Sequence, residues 1–131
     1  MNLMSIYIGG TLTILMALAH TRFYKMFKWH KDFARITELN SSIFYSIHVA
    51  LYLLFFALGL ITLFYAEELS HSTGLAEGVN VFLAFFWLWR FIWQVIYFRK
   101  DGKMVISLPG IAFLIAFFLL FLSYFIPLIN Q

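Results

Sequence analysis

Four stretches of the chain are almost wholly apolar. Residues 1–21, 39–66 and 104–131 contain no Asp, Glu, Lys or Arg, and 78–98 contain Arg90 as their one charge. At 1.5 Å per residue, each run supplies the ~20 helical residues that cross a hydrocarbon core about 30 Å thick. The pattern predicts spans near 3–21, 42–65, 79–98 and 105–127, within a single transmembrane domain covering 1–131. Between the first two spans, Phe23, Met26, Phe27, His30, Phe33 and Ala34 recur at helical spacing, with Lys28, Lys31, Asp32 and Arg35 on the other side. That alternation predicts a helix lying in the membrane interface with its aromatic face toward the acyl chains. Asn40, Ser41 and Ser42 are expected to end it and to cap the second span, and Asp101-Gly102 predicts a tight reversal before the fourth. The expected fold class is therefore all-α, an integral membrane four-helix bundle with an interfacial amphipathic helix between spans 1 and 2.

Composition narrows the class further. The 131 residues are 63% hydrophobic and 11% charged, whereas a soluble domain carries about 45–50% apolar and about 25% charged residues. A water-soluble globule is excluded. The absence of cysteine removes disulfides, thiolate metal sites and CxxC redox chemistry. The first apolar run lacks both a basic region before it and an A-x-A-like cleavage site after it, so it is expected to remain in the mature protein rather than leave as a signal peptide.

Charge placement sets the expected orientation. Arg22, Lys25, Lys28, Lys31 and Arg35 fill the first connection and Arg99, Lys100 and Lys103 the third, while the second holds Glu67, Glu68 and Glu77 with no Lys or Arg. The positive-inside rule makes the first and third connections cytoplasmic. This predicts a multi-pass protein of the cell inner (plasma) membrane with both termini on the non-cytoplasmic side. The net charge of +3 then reflects residues beside anionic headgroups; membrane lipid is the expected partner, and nucleic acid is not.

Helical phase groups the polar residues. In the second span Ser41, Tyr45, His48, Tyr52, Phe55, Gly59, Thr62 and Ala66 form a seam of alternating steps of four and three, small and polar as a helix interface in lipid requires. In the third, Asn80, Leu83, Trp87, Arg90, Gln94 and Tyr97 form a comparable stripe; in the first, Gly9 or Gly10, Thr13, Met16 or Ala17, and His20 align. The fourth span reads as a packing helix. His20, His48, Gln94 and Arg90 all fall within about three turns of the cytoplasmic boundary. Intramembrane ionisable residues face the bundle interior or a wet cavity. The expected ligand-binding set is His20, His48, Arg90 and Gln94, with Tyr45, Tyr52, Trp87 and Tyr97 beside them.

Arg90 is the strongest clue, because no Asp or Glu lies within any span and a guanidinium does not readily deprotonate. Its counter-charge comes from Glu38 or Asp32 at the interface, a lipid phosphate, a bound carboxylate or another subunit; alternatively it snorkels to the headgroups. A b-type haem would take His20 and His48 as axial ligands, the one way these residues act as metal ligands in this reading. His71 with Glu67 and Glu68 is expected to sit in a solvated loop, since Ser70, Ser72, Thr73 and Gly74 suggest a turn. No P-loop, GxGxxG, HExxH or nucleophile triad is present, and no pair shows a nucleophile with its base. Whether there is any catalysis is left open.

At W29-H-K-D-F-A-R35-I-T-E-L-N40-S-S-I-F44-Y-S-I-H48, with A19-H20 before and R90-F-I-W-Q94 after, the chain resembles small uncharacterised four-span bacterial inner-membrane proteins. The resemblance covers most of the chain, implies the topology, adds Arg35 and Asn40 to the notable residues, and implies no reaction. Two functional classes follow. One is a membrane protein with a buried polar site in the cytoplasmic leaflet that binds an anionic amphiphile, quinone or haem. The other is an accessory or structural subunit of a larger membrane complex, bound to another membrane protein or to its own copies.

Overall fold

The computed structural model describes residues 1–97, 99–100, 103–104 and 107–130. Among the described residues the secondary structure is helical apart from one ladder of two-residue strands. Its helices are α1 (Asn2–Met26), α2 (Trp29–Phe33), α3 (Glu38–Phe64), α4 (Ala66–His71), α5 (Leu75–Tyr97) and α6 (Leu108–Ile129). Strands β1 (Arg99–Lys100) and β2 (Lys103–Met104) pair antiparallel, Arg99 opposite Met104 and Lys100 opposite Lys103. The Asp101-Gly102 reversal lies outside the described residues. Four helices, α1, α3, α5 and α6, are long and apolar enough to cross a membrane.

Several boundaries differ from those expected, each for a local reason. Instead of stopping near residue 21, α1 runs on to Met26; Lys28 then takes a left-handed conformation (φ 55°) and leaves α2 only five residues. The long amphipathic pattern over 23–37 is thus split between the end of α1 and the short α2. Thr37, rather than Asn40, Ser41 or Ser42, caps α3, its side chain accepting from the Asn40 backbone N–H at 3.3 Å. Ser107 caps α6 in the same way at Gly110, with Pro109 in the first turn where no N–H is needed. At the other end of the molecule the chain continues as helix through the exposed His71, because Ala66 and Leu69 bury the inner side of α4. The expected turn begins at Ser72 (φ 51°) and Gly74 (φ 56°).

The helices pack in the order α3 on α1, α1 on α6 and α6 on α5. Small residues let α1 approach its neighbours. A Cβ at Gly59 would lie 3.1 Å from the Ile14 backbone nitrogen and 3.2 Å from the Gly10 carbonyl oxygen, so α1 and α3 cross almost backbone to backbone. On the other side of α1, Gly9 leaves room for Ser123 and the Tyr124 ring of α6. Trp87, Leu83, Ile6, Leu120 and Tyr124 are the largest side chains fully buried between the helices.

A polar knot ties three helices together at this level. The buried Tyr124 hydroxyl lies 3.1 Å from Thr62 Oγ1 and 3.3 Å from Thr13 Oγ1. Both threonines already donate to carbonyls of their own helices, Leu58 and Gly9, so the tyrosine proton is the one left to join α6 to the α1–α3 pair. Interhelical hydrogen bonds in lipid are worth about 0.6 to 2 kcal/mol. Tyr124→Phe is expected to lower stability by about 1 kcal/mol in denaturant unfolding of the detergent-solubilised protein; an unchanged midpoint would show that the knot contributes no net energy.

Candidate functional site

The stripe on α5 builds the site. Trp87, Arg90 and Gln94 follow one another at steps of three and four, which keeps them on one helical face within about two turns. Trp87 and Gln94 are buried and Arg90 is half-buried. Opposite them stands the end of α1, from which Met16, His20 and Phe23 project, with Leu51 and Phe55 of α3 and Phe113 and Phe117 of α6 on the flanks. These side chains surround a cavity of about 520 Å³ in the half of the bundle nearest the basic connections. Trp29, from the start of α2, closes its end and rests on the rings of Phe33 (5.7 Å), Phe27 (6.4 Å) and His48 (4.8 Å, edge-on).

The guanidinium of Arg90 lies over the Phe117 ring at 4.8 Å and beside Trp89 at 5.8 Å. Aromatic faces stabilise a cation without neutralising it. No carboxylate among the described residues pairs with it, and neither Glu38 nor Asp32 supplies the counter-charge there. One further polar group of the cavity is a donor in need of an acceptor. The Trp87 indole N–H is buried without a hydrogen-bond partner among the described residues. Gln94, 4% exposed, brings an amide that can both donate and accept. An unmade hydrogen bond at a buried donor costs about 1–3 kcal/mol, so an acceptor placed in this cavity would recover that cost.

The two histidines have different roles. His20 Nδ1 is 2.8 Å from the Met16 carbonyl, which can only accept, so that nitrogen carries a proton and Nε2 is the remaining ring nitrogen of a cavity-lining residue. His48 Nε2 donates to the backbone carbonyl of His20 at 2.8 Å, joining α3 to α1. The rings lie 5.6 Å apart and nearly parallel (24°). His48 touches Phe23 and Trp29 but does not line the cavity. A macrocycle held there would meet His20 alone, while the Nε2 through which His48 would commonly ligate is bonded to the main chain; the pair does not fit bis-histidine haem. Nor do the described residues include a group of three His, Asp or Glu placed to hold a metal ion, His71 with Glu67 and Glu68 included.

Of the residues expected at the site, His20, Trp87, Arg90 and Gln94 line one cavity, and His48 stands one layer behind them. Tyr45 does not take part: it is 54% exposed and meets Tyr24 edge-on at 6.3 Å. Tyr52 is half-buried and packs on Phe56, outside the lining. The side chain of Tyr97 lies outside the described residues. The sequence pattern does not mark Phe117 and Trp29 as walls; α6 is so uniformly apolar that no position on it stands out, and Trp29 reads as an interfacial anchor like any other. Comparison with known protein families, curated proteins and solved structures finds no match to this chain.

Proposed function

We propose that the chain is a multi-pass protein of a bacterial inner membrane whose cavity, set in the cytoplasmic leaflet, binds an anionic amphiphile. The observation that carries this reading is the position of Arg90 in an aromatic cavity, next to the Trp87 N–H, with neither a carboxylate beside the one nor an acceptor for the other among the described residues. Every polar group on the α5 side of the cavity can donate, which favours a head made of acceptors. A quinone is the neutral version of the same chemistry, since its carbonyls also accept, but it leaves the charge of Arg90 uncompensated. Extraction and mass spectrometry of the protein purified in mild detergent is expected to yield one acidic amphiphile in near-stoichiometric amount. Recovery of nothing beyond the bulk lipid composition would count against the reading.

The orientation that belongs to this reading has α2 lying in the cytoplasmic interface and both termini outside. In this cysteine-free chain, single cysteines at the exposed positions Arg35 and His71 are expected to react with a membrane-impermeant thiol reagent from opposite sides, His71→Cys from outside. Labelling of both from one side would overturn the four-span topology.

A second reading, an accessory subunit of a membrane complex, is favoured by one observation. Only 17% of the most apolar window of α3 is buried, against 39% for α1. Lipid covers such a surface as readily as a partner does. A protein recovered at fixed stoichiometry with an empty cavity would support the accessory role.

A further inference from the structure

The order of packing leaves one side of the cavity without a wall. α3 lies on α1 and α5 on α6, but α3 and α5 are not closely packed against each other. They approach through Phe55, whose ring is 6.0 Å from Phe86 and 5.4 Å from Trp87. Nearer the basic connections, Leu51 of α3 and Trp89 of α5 both line the cavity, and Trp89 is 44% exposed. The mouth of the cavity is therefore the gap between two apolar helices. Its end toward the connections is covered by Trp29.

Resting on the anionic-amphiphile reading above, we infer that the site loads sideways from the bilayer through the α3–α5 gap. The ligand it takes is a single-chain amphiphile with one compact oxyanion, the head beside Arg90 and the chain leaving between Leu51 and Trp89. A guanidinium fork matches two oxygens of a carboxylate or phosphate, and Trp87 and Gln94 stand about one turn either side of it to take further acceptor positions. A volume of about 520 Å³ falls within the range of small-molecule sites, about 300–1,000 Å³. That is room for a head and the start of one chain; the rest of the chain remains in lipid, so its desolvation cost is small. Because the open side faces hydrocarbon, a water-soluble anion would have no path to Arg90.

The test uses the full chain in phosphatidylcholine nanodiscs and its own tryptophan fluorescence, with 9,10-dibromostearate as probe, because bromine quenches an indole it touches. Saturable quenching is expected, competed by stearate and at least tenfold weaker for the methyl ester. Competition by octadecyl phosphate instead of stearate identifies the phosphate source of the same head chemistry. Leu51→Cys with Trp89→Cys, bridged by a short bifunctional thiosulfonate, is expected to slow the onset of quenching at least tenfold, and reduction of the bridge to restore it. Should that pair misfold, Phe55→Cys with Phe86→Cys spans the same gap. Saturable quenching whose onset the bridge leaves unchanged would overturn the lateral route while leaving the Arg90 site standing. Quenching that rises in proportion to probe, equally for acid and ester, would overturn the anionic site and the inference with it.

Discussion

Arg90→Leu is expected to weaken binding in the cavity without destabilising the protein. Among the described residues the guanidinium is the one full charge lining the cavity, and a hydrogen bond to a charged group contributes about 1.5–3 kcal/mol. Saturable quenching by dibromostearate should therefore weaken by roughly 10- to 100-fold. An arginine at mid-helix also costs about 2.5–3.5 kcal/mol on insertion scales, so expression and thermal stability of the variant should rise or hold. Arg90→Lys keeps the charge but not the planar fork, and its binding should fall between the two. A leucine variant that binds the probe as tightly as the wild type would show that Arg90 serves the fold by resting on Phe117 rather than the site.

Gly59→Leu should have the largest effect on the fold. An added Cβ alone would sit 2.5 Å from Ile14 Cγ1, and because the Ile14 nitrogen and Gly10 oxygen stand directly behind, α1 and α3 would have to separate. Overpacking of a close interface costs about 1–3 kcal/mol and occasionally more. Here separation would also pull His48 from the His20 carbonyl and Thr62 from Tyr124. The expected result is loss of about 3 kcal/mol or more in denaturant unfolding. Gly78→Leu, at a helical glycine with nothing within 4 Å of its added Cβ, should gain up to about 1 kcal/mol from helix propensity. Equal destabilisation by the two would mean that the α1–α3 crossing is looser than its geometry.

The sequence made the spans and the α5 stripe legible because both depend on period and polarity. Charge-free runs mark the helices, and a spacing of three and four fixes which residues share a face. Period does not say how far along a helix its neighbour continues. Tyr45 and Tyr52 have the right phase on α3, yet burial there is confined to Phe55, Gly59 and Thr62. His48 also lies on the expected side, but its partner is a backbone carbonyl, and every residue has one, so no count of side chains could point to it. The start of α3 differs from the expected one for a related reason. Thr37 caps it six residues before the apolar run becomes continuous at Ile43, and the lone Leu39, 71% exposed, gives no periodic signal there. Among the donors, Arg90 and Gln94 stand out in an apolar span on type alone. Trp87 does not, because an unpaired indole N–H is visible only once its surroundings are.

A density map of the protein in native-lipid nanodiscs, resolved well enough to place side chains around α5, tests the central claim most directly. The account predicts elongated density with its compact end against Arg90 and within hydrogen-bond distance of Trp87 Nε1 or Gln94, its tail passing between Leu51 and Trp89. An empty or water-filled cavity, with the Arg90 side chain extended to the headgroup region, would contradict it.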